Sequence, residues 1–268
     1  IQMYSIAAST AISWEPKMDQ PSNGKSREET VLTLQRAIRQ WEGAGPVGDW
    51  PRVSSGCAAL DRLLPDGGFR RGTLIEWLGA GVGSGAGFLA LLAAREALRD
   101  GGPLVVIDRQ RTFYPPAMLP WGIEVSRLIL VRPMNDRDEQ WSLDQVVRSA
   151  DVAAVLAWPE RLDSRAFRRL QLAAEQSGNL ALLVRDATAR AEPSWAAARW
   201  LVRPQASDGG WRLHVEPIRL PGGLTTAAPV LLELDSREGI ARQIQPTGRA
   251  AVGRLRGESV RPARRDRA

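Results

Sequence analysis

Five glycines occupy alternate positions in one short segment. A glycine-rich turn of this kind can bind phosphate groups, so it is the chain's first candidate for a functional site. An apolar run at 73–78 precedes the segment, and an apolar helix pattern begins near Phe88. A nucleoside-triphosphate loop, G-x-x-x-x-G-K-[ST], lies in the same setting, where its backbone N–H groups surround phosphates. Such a loop would support phosphoryl transfer. The glycines are Gly79, Gly81, Gly83, Gly85 and Gly87.

The loop lacks the side chains that this chemistry requires. Aligning the motif on the first glycine places its lysine position at Gly85 and its hydroxyl position at Ala86, and one inserted residue moves them to Ala86 and Gly87. The only lysines of the chain are Lys17 and Lys25, far upstream. No lysine is therefore available to contact the terminal phosphates, and no hydroxyl to bind Mg²⁺. A glycine-rich strand–helix turn without a ligand is the simpler interpretation.

The same glycines match a second, shorter motif. Gly81, Gly83 and Ala86 fit the dinucleotide-binding pattern G-x-G-x-x-G/A, and Asp108 ends the next strand pattern, where an acid would bind a ribose. A dinucleotide-binding oxidoreductase is thus an alternative function. It leaves the segment 53–72 unexplained, and the chain shows no clear set of residues for hydride transfer.

Composition excludes several classes of protein. The single cysteine, Cys57, excludes an internal disulfide, and with the single histidine, His214, it argues against a zinc site. We expect no bound metal, and a site made of carboxylates alone is the alternative. No run of eighteen apolar residues predicts a membrane span, and no signal peptide is recognisable. We therefore expect a cytoplasmic protein without membrane contact. Met3 and Met18 are both candidate start sites.

Positive charge is concentrated at the C-terminal end. The chain carries a net charge of +6, and residues 249–267 contain seven arginines against Glu258 and Asp266, a surplus of five (7 − 2). Such a segment suits an acidic partner or nucleic-acid phosphates, and a flexible tail without a partner is the alternative. The candidate partner- or DNA-binding residues are Arg254, Arg256, Arg261, Arg264, Arg265 and Arg267.

Strand and helix patterns alternate from 73 to 186 and predict an α/β fold, a mostly parallel sheet with helices on both faces. Antiparallel strands follow at the C-terminal end. The strands are predicted at 73–78, 104–108, 128–133, 152–158, 180–186, 200–204, 211–219 and 230–235. The helices are predicted at 87–99, 139–149, 163–177 and 194–199, and residues 53–64 are predicted to begin with a turn and become a short helix.

Four regions follow from this pattern. Residues 1–27 are polar and aperiodic, which predicts a disordered N-terminus. An N-terminal helix and linker, 28–52, carries Leu34, Ile38 and Trp41 at helical spacing and is a second candidate for partner binding. The folded domain is predicted at 53–235 and a basic flexible tail at 236–268.

The order of the motifs resembles the core of RecA-type recombinases. In that family a turn and helix of the form S-x-G-x-x-x-L-D precede G-G-x-x-x-G, a strand and the phosphate loop. The segment 165–185, RAFRRLQLAAEQSGNLALLVR, is more specifically similar to the ImuA family of RecA-like proteins. The matching positions of the RecA motifs are Ser54, Gly56, Leu60, Asp61, Gly67, Gly68 and Gly72.

The chain departs from active members of the RecA family at the positions that perform catalysis. The resemblance implies a catalytic glutamate two residues after Asp108, where this chain has Gln110, which cannot act as a general base. It implies a Walker B aspartate at the end of the strand 152–158, where Leu156, Ala157 and Trp158 stand. With the lysine also missing, we expect no catalytic residue, no ATPase activity and no bound ATP.

The resemblance to the ImuA family implies a part in the SOS response, in translesion synthesis and DNA-damage-induced mutagenesis. The protein would bridge a Y-family-polymerase-like mutagenesis protein and an error-prone DNA polymerase of replicative type. Contact with the recombinase RecA and direct contact with DNA are further expectations. Because homologues also carry the label SulA-like, a cell-division inhibitor of the SOS response is the main alternative.

Overall fold

The computed structural model describes residues 50–81, 83–207, 210–222 and 227–245 of the chain. The predicted disordered N-terminus and N-terminal helix lie outside these residues, as do the six arginines of the predicted tail, so those predictions stay predictions. No helix within the described ranges is long and apolar enough to cross a membrane.

The fold alternates strands and helices as far as residue 186 and then continues as strands. The helices are α1 (Ala58–Asp61), α2 (Ala86–Ala97), α3 (Asp136–Val147) and α4 (Ser164–Ser177). The strands are β1 (Arg52–Val53), β2 (Phe69–Arg70), β3 (Thr73–Gly79), β4 (Leu104–Ile107), β5 (Leu128–Val131), β6 (Ala154–Ala157), β7 (Leu180–Asp186), β8 (Ala198–Gln205), β9 (Trp211–Arg219), β10 (Val230–Asp235) and β11 (Ile240–Gln243).

Nine of these strands form one sheet in the order β11-β10-β9-β8-β3-β7-β6-β4-β5, and β1 pairs with β2 separately. The six strands from β8 to β5 run parallel, and β9, β10 and β11 add antiparallel strands beyond β8. The predicted α/β fold, with a mostly parallel sheet and antiparallel strands at the C-terminal end, is confirmed.

Helices cover both faces of the parallel part of the sheet. On one face, the apolar residues of α2 pack against Trp77 and Trp200, whose rings stack with centroids 5.8 Å apart. On the other face, α3 and α4 bury Leu143 and Phe167 against the central strands. These two layers hold the carboxyl ends of the parallel strands in place, which is where ligands bind in open α/β sheets.

Capping residues set the start of the two helices on the second face. The carboxylate of Asp163 accepts a hydrogen bond from the Ala166 backbone N–H at 2.8 Å, and Asn135 accepts one from Asp138 at 2.9 Å. Gly178, with φ of +78°, ends α4. Such caps satisfy backbone groups that a helix terminus leaves unpaired.

The prediction of a helix at 194–199 is wrong. Its alanines favour a helix, but the Ala197 backbone N–H donates to the Leu74 carbonyl at 2.8 Å, and Ala198 pairs with Ile75 in the parallel sheet. The nearest helical segment is a 3₁₀ turn at Ala187–Ala191. Tertiary pairing therefore overrides local propensity here.

The turn and short helix predicted at 53–64 are confirmed, since hydrogen bonds to Asp61 hold a turn at the start of the segment and α1 follows it. The sheet extends past the predicted end of the domain at residue 235, since β11 pairs with β10 as its outer strand. Part of the predicted tail therefore belongs to the fold.

Candidate functional site

The glycine loop joins the carboxyl end of β3 to the first turn of α2. Gly85 is the N-cap of the helix and adopts φ of +84°, a left-handed conformation that favours glycine. Gly81 and Gly83 also have positive φ, and a Cβ at either position would meet no atom within 4 Å. The loop is therefore open at Gly81 and Gly83.

The one hydroxyl within the loop serves the loop itself. Ser84 is buried, and its Oγ accepts a hydrogen bond from the Ala86 backbone N–H at 3.4 Å. A Cβ at Gly79 would overlap this oxygen, so the close approach requires glycine there. Ser84 thus bonds to the first residue of α2 and faces the interior of the loop.

Neither lysine position of the motif has room for a long side chain. A Cβ at Gly85 would lie 2.5 Å from Cδ1 of Leu213, a fully buried residue of β9. Ala86 is itself fully buried against the core. Leu213, which belongs to the antiparallel part of the sheet, therefore fills the space beside the loop.

A tryptophan stands at the end of the strand that would carry the Walker B aspartate. Leu156 and Ala157 are fully buried in β6, and Trp158 follows them. A Cβ at Gly87 would lie 3.8 Å from the Trp158 ring, which therefore covers the first turn of α2. The ring centroid of Phe113 lies 6.2 Å from the ring centroid of Trp158. Aromatic side chains thus line the place where a metal ligand would be needed.

The structure places Gln110 and Asp108 in different surroundings. Gln110 is exposed, and its Nε2 donates to Oε1 of Glu160 at 3.4 Å. Asp108 is buried, and its carboxylate accepts hydrogen bonds from the backbone N–H groups of Thr112 at 3.1 Å and Phe113 at 3.0 Å. Its oxygens hold their own loop, which weakens the alternative in which Asp108 binds a ribose.

A charged cluster that the sequence does not predict lies at the same edge of the sheet. Arg109 lies 3.1 Å from Asp136, 3.2 Å from Glu139 and 2.9 Å from Glu160. Burial raises the pKa of Glu139, and the Arg109 guanidinium opposes that shift. Asp136 and Glu139 lie on the first turn of α3 and Glu160 follows β6, so only the fold brings them to Arg109. Within the described residues, no group of three or more His, Cys, Asp or Glu side chains could hold a metal ion.

A second missed feature is an ion triad inside the sheet. Glu76 of β3 is fully buried and lies 2.9 Å from Arg185 of β7 and 2.5 Å from Arg199 of β8. Arg185 also pairs with Glu192, and Arg199 donates to the Ala189 carbonyl at 2.8 Å. A glutamate inside an otherwise apolar strand pattern was the available signal in the sequence.

The RecA-like motif before β3 is a structural device. Ser54 donates to the Asp61 carboxylate at 2.6 Å, and the Ser55 backbone N–H donates to the same carboxylate at 2.7 Å. Gly56 has φ of +78°, and a Cβ there would lie 2.7 Å from Cβ of Leu92 on α2. The motif therefore fastens the turn against the helix that follows the glycine loop.

The outer face of α4 carries basic residues beside an exposed tryptophan. The Arg168 guanidinium lies 4.7 Å from the ring centroid of Trp195, whose Nε1 donates to Ser164 at 3.3 Å. Arg161 and Arg165 are exposed, and neither has a carboxylate partner among the described residues. The helix pattern is visible in the sequence, but the position of Trp195 next to it is not.

Comparison with known families and known proteins gives the following results. No family model matches the chain. Protein ImuA of Caulobacter vibrioides (strain NA1000 / CB15N) is 30% identical over 199 residues, which cover 65% of this chain and 82% of that protein. Protein RecA of Streptomyces venezuelae is 28% identical over 191 residues, 60% of this chain and 50% of that protein. The chain thus spans about half the length of this RecA relative.

A solved structure shows the same fold. The crystal structure of the RadB recombinase superposes with a TM-score of 0.56 at 18% sequence identity, covering 72% of this chain and 100% of that chain. At this identity, the likeness concerns the fold alone.

Proposed function

Because the chain belongs to the ImuA family of RecA-like proteins, we propose that it is a non-catalytic accessory protein of DNA-damage-induced mutagenesis. It acts by binding, as a scaffold between a Y-family-polymerase-like protein and an error-prone DNA polymerase during translesion synthesis. The recombinase RecA is a further partner in this proposal. The cytoplasm is the proposed location.

One observation carries the non-catalytic part of the proposal: leucine fills the space beside the lysine position of the glycine loop. Phosphoryl transfer depends on positive charge at the terminal phosphates and on a held metal ion. Here Leu213 packs on Gly85, and Trp158 covers the turn where the hydroxyl ligand would lie. The open backbone N–H groups of the loop would bind a nucleotide weakly at best, so no cofactor is part of the proposal.

The direct test of this part is ATP turnover by the purified full-length chain, with and without single-stranded DNA. The expected result is no release of phosphate above a no-protein control. RecA from the same organism, assayed in parallel, shows that the conditions support turnover. DNA-stimulated hydrolysis by the chain would overturn the non-catalytic proposal.

The biological part is tested by ultraviolet-induced mutation frequency in a strain lacking the gene, with cell length scored in the same cultures. Loss of induced mutations with unchanged filamentation is the expected result. Unchanged mutation frequency with shorter cells after damage would instead favour the SulA-like division inhibitor.

Direct DNA contact is also part of the proposal, and the surface around Trp195 supports it. Aromatic rings stack on bases, and unpaired arginines bind the phosphates of single strands. Trp195→Ala should weaken binding of a fluorescent oligothymidine by about 1–3 kcal/mol. Trp141→Ala, which alters an exposed tryptophan on α3, is the matched control. Equal affinities of the two variants would place DNA binding elsewhere.

A further inference from the structure

Residues 187–197, which join β7 to β8, form the loop that carries Trp195, and we refer to them as the tryptophan loop. Loops on a protein surface are in general more mobile than the strands that they connect. This loop is held at several points, because arginine side chains from three neighbouring strands donate hydrogen bonds to it. The three are Arg185 of β7, Arg199 of β8 and Arg219 of β9.

Two buried arginines hold the first half of the tryptophan loop. Arg199 donates to the carbonyl of Ala189 at 2.8 Å, and Arg185 pairs with Glu192 at 2.5 Å. Both arginines also pair with Glu76 in the centre of the sheet. The first half of the loop is therefore connected to the sheet through the buried triad.

Arg219 holds the turn that contains Trp195. Its Nη1 donates to the carbonyl of Ser194 at 2.8 Å and to that of Ala196 at 3.4 Å, the residues before and after the tryptophan. The Oγ of Ser194 accepts a hydrogen bond from the Ala196 backbone N–H at 3.2 Å, which closes the turn. Arg219 is itself exposed, at the end of β9. One guanidinium thus binds the backbone on both sides of Trp195.

The Trp195 ring is also held by contacts of its own. Its Nε1 donates to the hydroxyl of Ser164 at 3.3 Å, and the Arg168 guanidinium lies over the ring, 4.7 Å from the centroid. Trp195 is nevertheless 43% exposed. Because Arg168 covers one face, the ring offers its other face to a planar ligand. A DNA base is such a ligand, since bases stack on the faces of aromatic side chains.

A single available ring face decides which form of DNA suits this surface. In a duplex each base is stacked on its neighbours, and a protein reaches a base face only by unstacking it. In a single strand the base faces are accessible to aromatic side chains. A one-sided aromatic contact therefore suits an unpaired base.

We propose that Arg219 is a positioning residue for DNA binding: by holding the turn around Trp195, it presents one face of the indole ring to an unpaired base. Arg185 and Arg199 anchor the first half of the same loop to the sheet. Because the ring is oriented before DNA binds, less conformational freedom is lost on binding, which raises the affinity. This inference rests on the DNA contact in the proposed function.

The test measures binding of a fluorescent oligothymidine by the full-length chain and its variants. Arg219→Ala should weaken binding about three- to tenfold, the effect of having to immobilise one or two more side chains on binding. Arg242→Ala is the matched control, because Arg242 is an exposed arginine on β11, two strands away from β9, and its loss removes the same charge. It should bind nearly as the wild type does. Thermal unfolding checks that both variants are folded.

A double-mutant cycle separates positioning from direct contact. If Arg219 acts through the ring, Arg219→Ala should have little effect in a chain that already carries Trp195→Ala. It should also leave the slope of log K against log salt unchanged, whereas the loss of a phosphate contact reduces that slope by about 0.7 for single-stranded DNA. An effect of Arg219→Ala that is equally large without the ring, or a reduced slope, would overturn the positioning role.

The form of DNA is tested with the same variants. Trp195→Ala should leave the affinity for a duplex of the same length unchanged, because a duplex presents no unpaired base to the ring. A loss of duplex binding as large as the loss of oligothymidine binding would show that the ring does not select an unpaired base.

The remaining outcomes distinguish this inference from the proposed function. If Trp195→Ala weakens oligothymidine binding and Arg219→Ala does not, the positioning role is wrong while the DNA contact stands. If Trp195→Ala binds as the wild type does, the DNA contact lies elsewhere and the inference fails with it.

Discussion

At the scale of single residues, a side chain from a distant strand fills the space on one side of the glycine loop. Gly85 and Gly81 both have positive φ, but only Gly85 faces a neighbour, because Leu213 lies against it. The loop is thus open on its outer side and packed toward β9. A lysine side chain at position 85 would therefore have to displace the buried side chain of Leu213.

Substitution of these two glycines by alanine separates backbone strain from packing. Both variants incur the cost of a left-handed non-glycine residue, about 1–3 kcal/mol. Gly85→Ala should lose roughly a further 1–3 kcal/mol of unfolding free energy, because its Cβ overlaps Leu213. Urea denaturation measures the difference. Equal losses in the two variants would show that Leu213 moves aside freely.

At the scale of secondary-structure elements, buried charge joins the three central strands. Glu76 lies between Arg185 and Arg199, and all three side chains are almost completely buried. Buried ions are costly unless each is paired, so the triad stabilises the sheet only as a complete set. It fixes β3, the strand that leads into the glycine loop, against β7 and β8.

Glu76→Gln keeps the shape of the side chain and removes its charge, which leaves two buried arginines without their shared partner. We expect a loss of about 3–5 kcal/mol in unfolding free energy. Glu233→Gln is the control, because its pair with Arg212 is partly exposed and should contribute about 1 kcal/mol or less. Similar losses from both changes would contradict the structural role assigned to the triad.

Asp144 links the two helices on one face of the sheet and makes their packing depend on pH. It accepts hydrogen bonds from Arg148, which follows the last residue of α3, and from Arg169 on α4, both at 2.9 Å. The hydrogen bond from Arg148 is the main cause that lowers the pKa of Asp144 below its usual value of about 3.8. A lowered pKa stabilises the fold above the unfolded-state value, and this contribution is lost as the pH falls through the folded-state pKa.

Asp144→Asn should therefore cost about 1 kcal/mol at neutral pH and progressively less below about pH 4. Thermal unfolding followed across this range measures the effect. A constant difference between wild type and Asp144→Asn at all pH values would show that the carboxylate charge is not responsible.

The same elements show how far the sequence predicts the structure. The bounds of β7 and β9 follow from the sequence, because an apolar run and an alternating hairpin pattern are strong local signals. The helix predicted at 194–199 fails because pairing with β3 outweighs the helix propensity of its alanines. The strand β11 is short and largely polar, so only its pairing with β10 identifies it.

For the candidate site, the sequence shows what is missing but not what replaces it. The absence of lysine and of a Walker B aspartate can be read directly from the residues. That Leu213 packs on Gly85 cannot, because the contact joins β9 to α2 through the fold. The carboxylates around Arg109 and the arginines around Glu76 are hidden for the same reason.

At the scale of the whole molecule, the surplus positive charge lies after the last strand of the sheet. The net charge is +6, of which the segment after residue 245 contributes +5, from seven arginines and two acidic residues, and the rest of the chain contributes +1 (6 − 5). The sheet ends at Gln243, so nearly all the surplus charge follows the last strand. Removal of this charge should therefore be possible without loss of the sheet.

Two truncated chains test whether the basic segment can be removed without loss of the sheet. A chain that ends at Gln245 should unfold at the wild-type temperature, because it keeps β11 and its pairing with β10. A chain that ends at Ser236 should unfold at a clearly lower temperature. It lacks β11, the packing of Gly239 on Trp121, and the Arg62–Gln243 hydrogen bond.

The chain that ends at Gln245 should bind oligothymidine or a polymerase probe with an affinity that depends less on salt than the affinity of the full-length chain. For single-stranded DNA, the slope of log K against log salt falls by about 0.7 for each phosphate that the arginines no longer neutralise. A reduced slope with an unchanged unfolding temperature would assign the salt-sensitive binding to the arginines after residue 245. An unchanged slope would remove them from the binding surface and leave the arginines of α4 as the basic residues that bind the partner.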